Sequence, residues 1–177
     1  MREALDLSWV TSELAVGGRF PMERAGELLR ELGIARVVDV RGECCDDEEV
    51  LRRNGLEFLN LPTQDRCAVS QKMLDDGVAW VREQLRAGHK TFIHCEYGIG
   101  RSALLALCVL ADSGVGALEA LRMLKNARWK VSPSPEQLEG FRAWLARHAL
   151  PAPPVDALFN IAYAHLRQGE TGTGTAG

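Results

Sequence analysis

The amino-acid sequence predicts an α/β domain: a central, mainly parallel, twisted sheet of four to five strands flanked by helices, with one extra helix at the C-terminal end. Three observations predict it. Short apolar or β-branched runs alternate with segments of helical periodicity as far as Leu145, the pattern of parallel strands joined by helical crossovers. The segment after the last such run, Ser102 to Ser113, is apolar almost throughout, as expected of a helix enclosed in the domain rather than laid on its surface. Finally, 177 residues that are 46% hydrophobic and 25% charged suffice for one buried core with a short appendage and leave little room for a second fold.

The elements follow in order. Leu14-Ala15-Val16, closed by Gly17-Gly18, reads as a short strand, and Pro21 sits where a helix begins. Met22, Ala25, Leu28, Leu29 and Leu32 fall on one helical face, which Gly33 ends. Ile34 to Val40 is a compact β-branched run, a buried strand. Asp46 to Glu49 places four acids at the start of a short helix and Arg52-Arg53 at its end, matching the helix dipole, with Asn54-Gly55 as the stop. This acidic run reads as solvated helix surface rather than a metal site. Leu56 to Leu61 is a third strand that Pro62 ends.

Ser70 caps a helix whose apolar positions Leu74, Val78, Val81 and Leu85 step by four and three, up to Gly88. Lys90 to His94 is a fourth strand, Ser102 to Ser113 the buried helix, and about Ala117 to Ala127 another. Ser134, Pro135 and Gln137 supply cap, first turn and capping-box partner to a helix carrying Leu138, Phe141, Trp144 and Leu145. Residues 1–149 thus read as one domain. Residues 150–177 read as a stiff Leu150-to-Pro154 linker, an amphipathic helix from Val155 to Gln168, and a polar tail from Gly169 to Gly177 expected to be disordered.

Charge and cysteine content narrow the function. A formal charge of −3 gives no bulk positive field toward nucleic acid or anionic lipid, so neither is an expected partner. No stretch approaches the roughly 18 apolar residues of a membrane helix, and the first ten residues lack a signal-peptide core. The expectation is a cytoplasmic protein with no membrane association. Five cysteines without paired spacing make neither a disulfide framework nor a zinc site, which leaves room for a reactive thiol.

The chemistry concentrates in His94-Cys95-Glu96-Tyr97-Gly98-Ile99-Gly100-Arg101-Ser102, between a strand and the apolar helix. Gly98 and Gly100 let the backbone curl so that successive N–H groups point inward, and the next helix turns its positive end to the same point. That is an anion cradle. A thiol placed there is biased toward the nucleophilic thiolate by the dipole, the N–H groups and Arg101. The planar Arg101 fork can hold two oxygens of a phosphoryl group and stabilise its transition-state charge.

Cys-x5-Arg preceded by His and followed by Ser resembles the signature loop of the cysteine-dependent protein tyrosine phosphatases. The short domain, with Ser8-Trp9-Val10, Leu14 to Gly18, Val37 to Arg41 and Asn60-Leu61-Pro62-x2-Asp65, is similar to the dual-specificity branch, from about Ser8 to Leu145. The resemblance implies a dual-specificity phosphatase-like fold and a cysteinyl-phosphate intermediate on Cys95. The backbone of Glu96, Tyr97, Gly98, Ile99, Gly100 and Arg101, with the Arg101 side chain, would bind the phosphate. Asp65, 30 residues before Cys95, would be the general acid and later the base that activates water. Ser102 would stabilise the departing thiolate, and His94 would orient the loop and tune Cys95 without touching substrate. No metal or cofactor is implied.

Other residues carry two readings. Gln137 could position water, although its capping-box place explains it without function. Asp75 and Asp76 fall mid-helix and are poorer acids than Asp65. Cys44 or Cys45 could form a reversible disulfide with Cys95, but neighbouring acids should hinder their thiolates. Cys67 stands nearer the site in sequence, Cys108 reads as core, and His165 shares a packing face with Leu158, Ile161 and Ala162. Glu96 and Tyr97 occupy positions where lipid-directed relatives carry basic residues, which favours a phosphorylated protein: phosphotyrosine first, with phosphoserine or phosphothreonine if the pocket is shallow. Arg66 could still serve a second phosphate. The alternatives are an inositol phosphate, phosphoinositide or RNA 5'-phosphatase of the same superfamily, and a phosphoprotein-binding pseudophosphatase. Rhodanese-like sulfur transfer and arsenate reduction fit the loop less well.

Overall fold

The computed structural model describes residues 3–167; the expected polar tail lies outside the described residues. Five strands form one sheet in the order β1-β2-β5-β3-β4: β1 Leu7–Trp9, β2 Leu14–Gly17, β3 Ile34–Arg41, β4 Glu57–Thr63 and β5 Lys90–His94. All neighbours are parallel except β1, which lies antiparallel on β2. The expected mixed α/β architecture with a mainly parallel sheet is therefore observed.

Alternation along the strands splits the core in two. Val16, Val38, Val40 and Ile93 face a large cluster with α3 (Gln71–Arg86), α4 (Arg101–Asp112), α5 (Ala117–Ala127) and α6 (Pro135–Arg147). Ala15, Val37 and Phe92 face the other side, where α1 (Ala25–Arg30) contributes Leu28 and α2 (Glu48–Arg53) Leu51. Every residue of α4 from Arg101 to Ala111 is buried, as its unbroken apolar sequence predicts. The α6 start also matches: Ser134 and Gln137 form both bonds of the capping box, and Pro135 opens the helix.

Several readings change. The strand β1 escaped the sequence pattern because three residues are too few to show alternation. The Pro21 helix is a 3-10 turn, Met22–Arg24, running into α1, and Leu29 points outward at 36% exposure instead of joining the apolar face. Pro62 does not end its strand, because β4 is an edge strand and a missing N–H on its free side breaks no ladder. The expected single C-terminal helix is two, α7 Val155–Ala162 and α8 Ala164–Arg167, broken at Tyr163. Leu158 and Ala162 of α7 are fully buried in the main core.

Candidate active site

The carboxyl ends of the parallel strands β3, β4 and β5 deliver their following loops to one edge of the sheet, where open α/β sheets place ligands. Cys95 leaves β5 at the sheet centre and is 3% exposed. Its Sγ lies 3.2 Å from Ser102 Oγ and accepts from Gly98 N at 3.3 Å.

The loop after Cys95 is held by its carbonyls. Glu96 O accepts from Arg19 N, Ile99 O from Ser132 N and Gly100 O from Leu104 N, each at 2.9 to 3.0 Å. The Arg128 side chain donates to Gly98 O at 2.8 Å and Tyr97 O at 2.7 Å. With these oxygens engaged outside, the curl leaves its N–H groups for an anion at the N-terminus of α4. Gly98 is required sterically, and Gly100 packs against the end of the Gln137 side chain. Gly98 has φ +67°, and a Cβ there would lie 2.4 Å from Gly17 C; one at Gly100 would lie 2.6 Å from Gln137 Oε1.

Arg101, 1% exposed, turns its fork onto Glu43 of the β3–α2 loop. Nη1 donates to Glu43 Oε2 at 2.6 Å and to Thr63 O at 2.8 Å, and Nη2 donates to Glu43 Oε1 at 2.8 Å. That contact holds the Glu43 carboxyl down at about 2. Asp65 Oδ1 stands 3.4 Å from Nη2. Arg101 Nε is buried and has no partner among the described residues, so the fork retains one donor that a phosphate oxygen could satisfy.

Beneath the loop lies a buried charge network. His94 Nε2 meets Asp46 Oδ2 at 2.6 Å, and its Nδ1 meets Cys95 O at 3.2 Å. Arg41 donates to Asp39, Asp46 and Glu96 at 3.0 to 3.2 Å. Burial pulls the Arg41 guanidinium down, but Asp39 and Asp46 outweigh it and push it above its usual value. Asp46 is thus not solvated helix surface as the acidic run suggested: it is 5% exposed, and the helix cap falls to Asp47. Asp39, Asp46 and His94 bring ligand atoms within 4.8 Å of one another, yet Arg41 already bridges the two carboxylates. Removing Asp46 leaves the buried His94 Nε2 without its partner, while Arg41 keeps Asp39 and Glu96, so Asp46→Ala is expected to cost about 1–3 kcal/mol in chemical denaturation at neutral pH. A loss near zero would show that the His94–Asp46 contact does not stabilise the fold.

Two hollows flank the loop. One, of about 420 Å3, is lined by Cys95, Asp65, Arg66, Tyr97, Arg101 and Tyr163 among others. The second, of about 690 Å3, carries Glu43, Asp65 and Glu96. The structure thus brings Cys95, Arg101, Ser102, Asp65 and His94 to one place. Gln137 both caps α6 and lines the 420 Å3 pocket, where its Nε2 donates to Cys67 O at 3.1 Å. Cys44 and Cys45 are exposed; partial burial, then Asp39 and Asp46, push the Cys45 thiol up, as the neighbouring acids led one to expect. Buried Cys108 is pushed well up by desolvation. Asp75 is tied to Arg147 and His148. His165 faces Lys125 and Trp129.

Sequence reasoning missed Glu43, Asp46, Arg128 and Tyr163. Each acts through a partner remote in sequence, and none stands in a local motif.

A buried cysteine and an arginine six residues on, bracketing a curl of N–H groups at the end of a central parallel strand, define a cysteine-dependent phosphatase domain of the tyrosine phosphatase superfamily. Residues 22–147 match the family model "Dual specificity phosphatase, catalytic domain", and the chain belongs to that family. It is 25% identical over 132 residues to Phosphatidylglycerophosphate phosphatase PTPMT1 of Arabidopsis thaliana, covering 67% of this chain and 39% of that protein. It is 25% identical over 127 residues to Dual specificity protein phosphatase 1 of Mus musculus, covering 71% and 33%. The chain therefore spans well under half the length of these curated relatives. Among solved structures, Tk-PTP in the active form superposes with a TM-score of 0.74 at 26% identity, covering 80% of this chain and 97% of that one. Human DUSP28 gives 0.71 at 22% identity, covering 83% and 97%, a likeness of fold. No helix among the described residues is long and apolar enough to cross a membrane.

Proposed function

We propose that the protein is a phosphatase of phosphorylated protein side chains, phosphotyrosine foremost, working through a cysteinyl-phosphate. The Cys95 thiolate attacks phosphorus; the S–P bond forms as the ester O–P bond breaks, and Asp65 gives its proton to the leaving oxygen. Water then attacks the phosphocysteine, Asp65 takes a proton from it, and the sulfur departs as thiolate, stabilised by the Ser102 hydroxyl. The loop N–H groups and Arg101 hold the phosphoryl oxygens throughout, with Nε of Arg101 the donor left over by Glu43.

The observation that carries the substrate class is the acidic rim: Glu43, Asp65 and Glu96 line the hollow beside the loop, and no loop residue between Cys95 and Arg101 is basic. Glu43 is paired to Arg101, and Glu96 to Arg41 and Arg19, so the cations at this rim are already engaged and offer little to the extra phosphates of a polyphosphorylated headgroup. The phosphatidylglycerophosphate phosphatase named among its relatives keeps lipid phosphates as the second reading. The test is phosphate release, in reducing buffer, from a phosphotyrosine peptide beside a soluble phosphoinositide, with Cys95→Ser as the blank. Preference for the peptide is the expected result; preference for the inositide overturns the substrate class, and silence on both and on p-nitrophenyl phosphate overturns the catalytic reading.

Asp65 has its own signature. Asp65→Asn is expected to slow a phosphopeptide about a hundredfold, while p-nitrophenyl phosphate, whose leaving group departs with little protonation, slows much less. Equal losses on both substrates would remove Asp65 from the role of acid.

A further inference from the structure

We propose that Tyr163 is a specificity-determining residue: the C-terminal segment supplies, through this side chain, a wall of the catalytic pocket that selects aryl over alkyl phosphomonoesters. The inference deepens the phosphatase reading and rests on it. The family match ends at residue 147, whereas the pocket holding Cys95, Asp65 and Arg101 is lined on one side by Tyr163, at the break between α7 and α8.

The wall is fixed from three directions. Leu158 and Ala162 anchor α7 in the main core. Tyr163 stacks on Phe159 with ring centroids 4.3 Å apart, and its hydroxyl donates to Pro133 O at 2.8 Å. Lys125 Nζ lies within 2.9 Å of Trp129 O, Val131 O and Ala162 O, joining the 129–133 loop to the end of α7. That loop in turn touches the catalytic parts. Ser132 N donates to Ile99 O at 2.9 Å, and Ser134 Oγ donates to Arg66 O, next to Asp65, at 2.7 Å. Tyr163 is thus held by the segment that positions both the phosphate loop and the acid loop.

The lining explains the choice of substrate. Cys95 is buried at the pocket floor, and Tyr97, Ile99, Pro135 and Tyr163 add apolar surface above it. A phosphate on an aromatic ring can reach the floor with its ring against these side chains, and aromatic pairs gain beyond their buried area. A phosphoserine has a single methylene between phosphate and backbone, so the same walls hold its main chain away from the floor.

The experiment compares kcat/KM of the wild type, Tyr163→Ala and Tyr163→Phe on phosphotyrosine and phosphoserine peptides of one sequence, and on p-nitrophenyl phosphate and β-glycerophosphate. Tyr163→Ala is expected to lower turnover of both aryl substrates roughly five- to tenfold, mainly through KM, the size of one aromatic contact. The alkyl substrates stay level or improve, and Tyr163→Phe keeps the wild-type ratio. Tyr163→Leu, which retains bulk without the aromatic face, gives the same readout should Tyr163→Ala not fold. Parallel losses on aryl and alkyl substrates, or an unchanged ratio, overturn the inference. A wild type inactive on peptides but active on the small phosphates overturns the protein-substrate reading alone, since the aryl-to-alkyl ratio is still read.

Discussion

Cys95→Ser is expected to lower phosphate release by at least about 10⁴-fold on every substrate, as removal of a covalent nucleophile does elsewhere. The substitution is nearly isosteric, and the neighbours of the sulfur, Ser102 Oγ and Gly98 N, are equally able to bond an oxygen. The fold and the N–H curl should therefore survive. What is lost is the nucleophile, because a serine hydroxyl remains protonated where a thiol can ionise. Orthovanadate or phosphate should still bind, since the donors of the loop and Arg101 remain. The check is steady-state phosphate release together with anion-dependent thermal stabilisation. Activity within tenfold of wild type would assign the attack to another group, with Cys67, whose carbonyl borders the pocket through Gln137, the first to replace.

Arg128→Met is expected to be about as damaging as loss of the Asp65 carboxyl, although Arg128 lies outside the signature loop. The Arg128 guanidinium donates to Gly98 O and Tyr97 O on one side and to both Asp6 oxygens, at 2.8 Å, on the other. The hydrogen bonds from Arg128 hold the Asp6 carboxyl below its usual range. Arg128 therefore fastens the outer face of the loop to the chain ahead of β1 while itself only 5% exposed. Methionine keeps the length and loses all five donors, leaving the two loop carbonyls without that donor and Asp6 with Lys130 at 3.5 Å in its place. Once the carbonyls are free to swing inward, the N–H groups no longer converge. A misplacement of the order of 1 Å is enough for a drop in kcat/KM of about 10²-fold. Vanadate affinity should fall with it, and Arg128→Lys should rescue little, because an ammonium cannot span both carbonyls and Asp6 at once. Wild-type kcat/KM in a folded Arg128→Met protein would show that the backbone alone sets the curl.

Much of the site was legible because it is local. His94 to Ser102 lie within nine residues, and strand, glycine curl and helix start occupy consecutive positions, so spacing alone encodes the geometry of Cys95, Gly98, Gly100 and Arg101. The capping box of α6 was legible for the same reason: both its bonds join residues three apart. The burial of α4 followed from an unbroken apolar run. Leu29 misled because five apolar residues on a nominal face do not show where a 3-10 turn shifts the phase. Asp46 misled because four consecutive acids look alike in sequence, and only one of them meets a buried histidine.

By itself, then, the sequence determined four of the five strands and most of the helices among the described residues, the α/β class and the strand–curl–helix of the candidate phosphate loop, since each arises from hydrogen bonds and burial set by neighbours a few residues away. The tertiary structure alone decided the strand order, the grip of Glu43 on Arg101 across 58 positions, and the tie of Arg128 to Asp6 across 122. It alone placed Tyr163 in the lining of the pocket that holds Cys95. Those contacts depend on how the sheet is ordered and how the helices pack onto it, and local periodicity holds no record of which distant side chains that packing brings together.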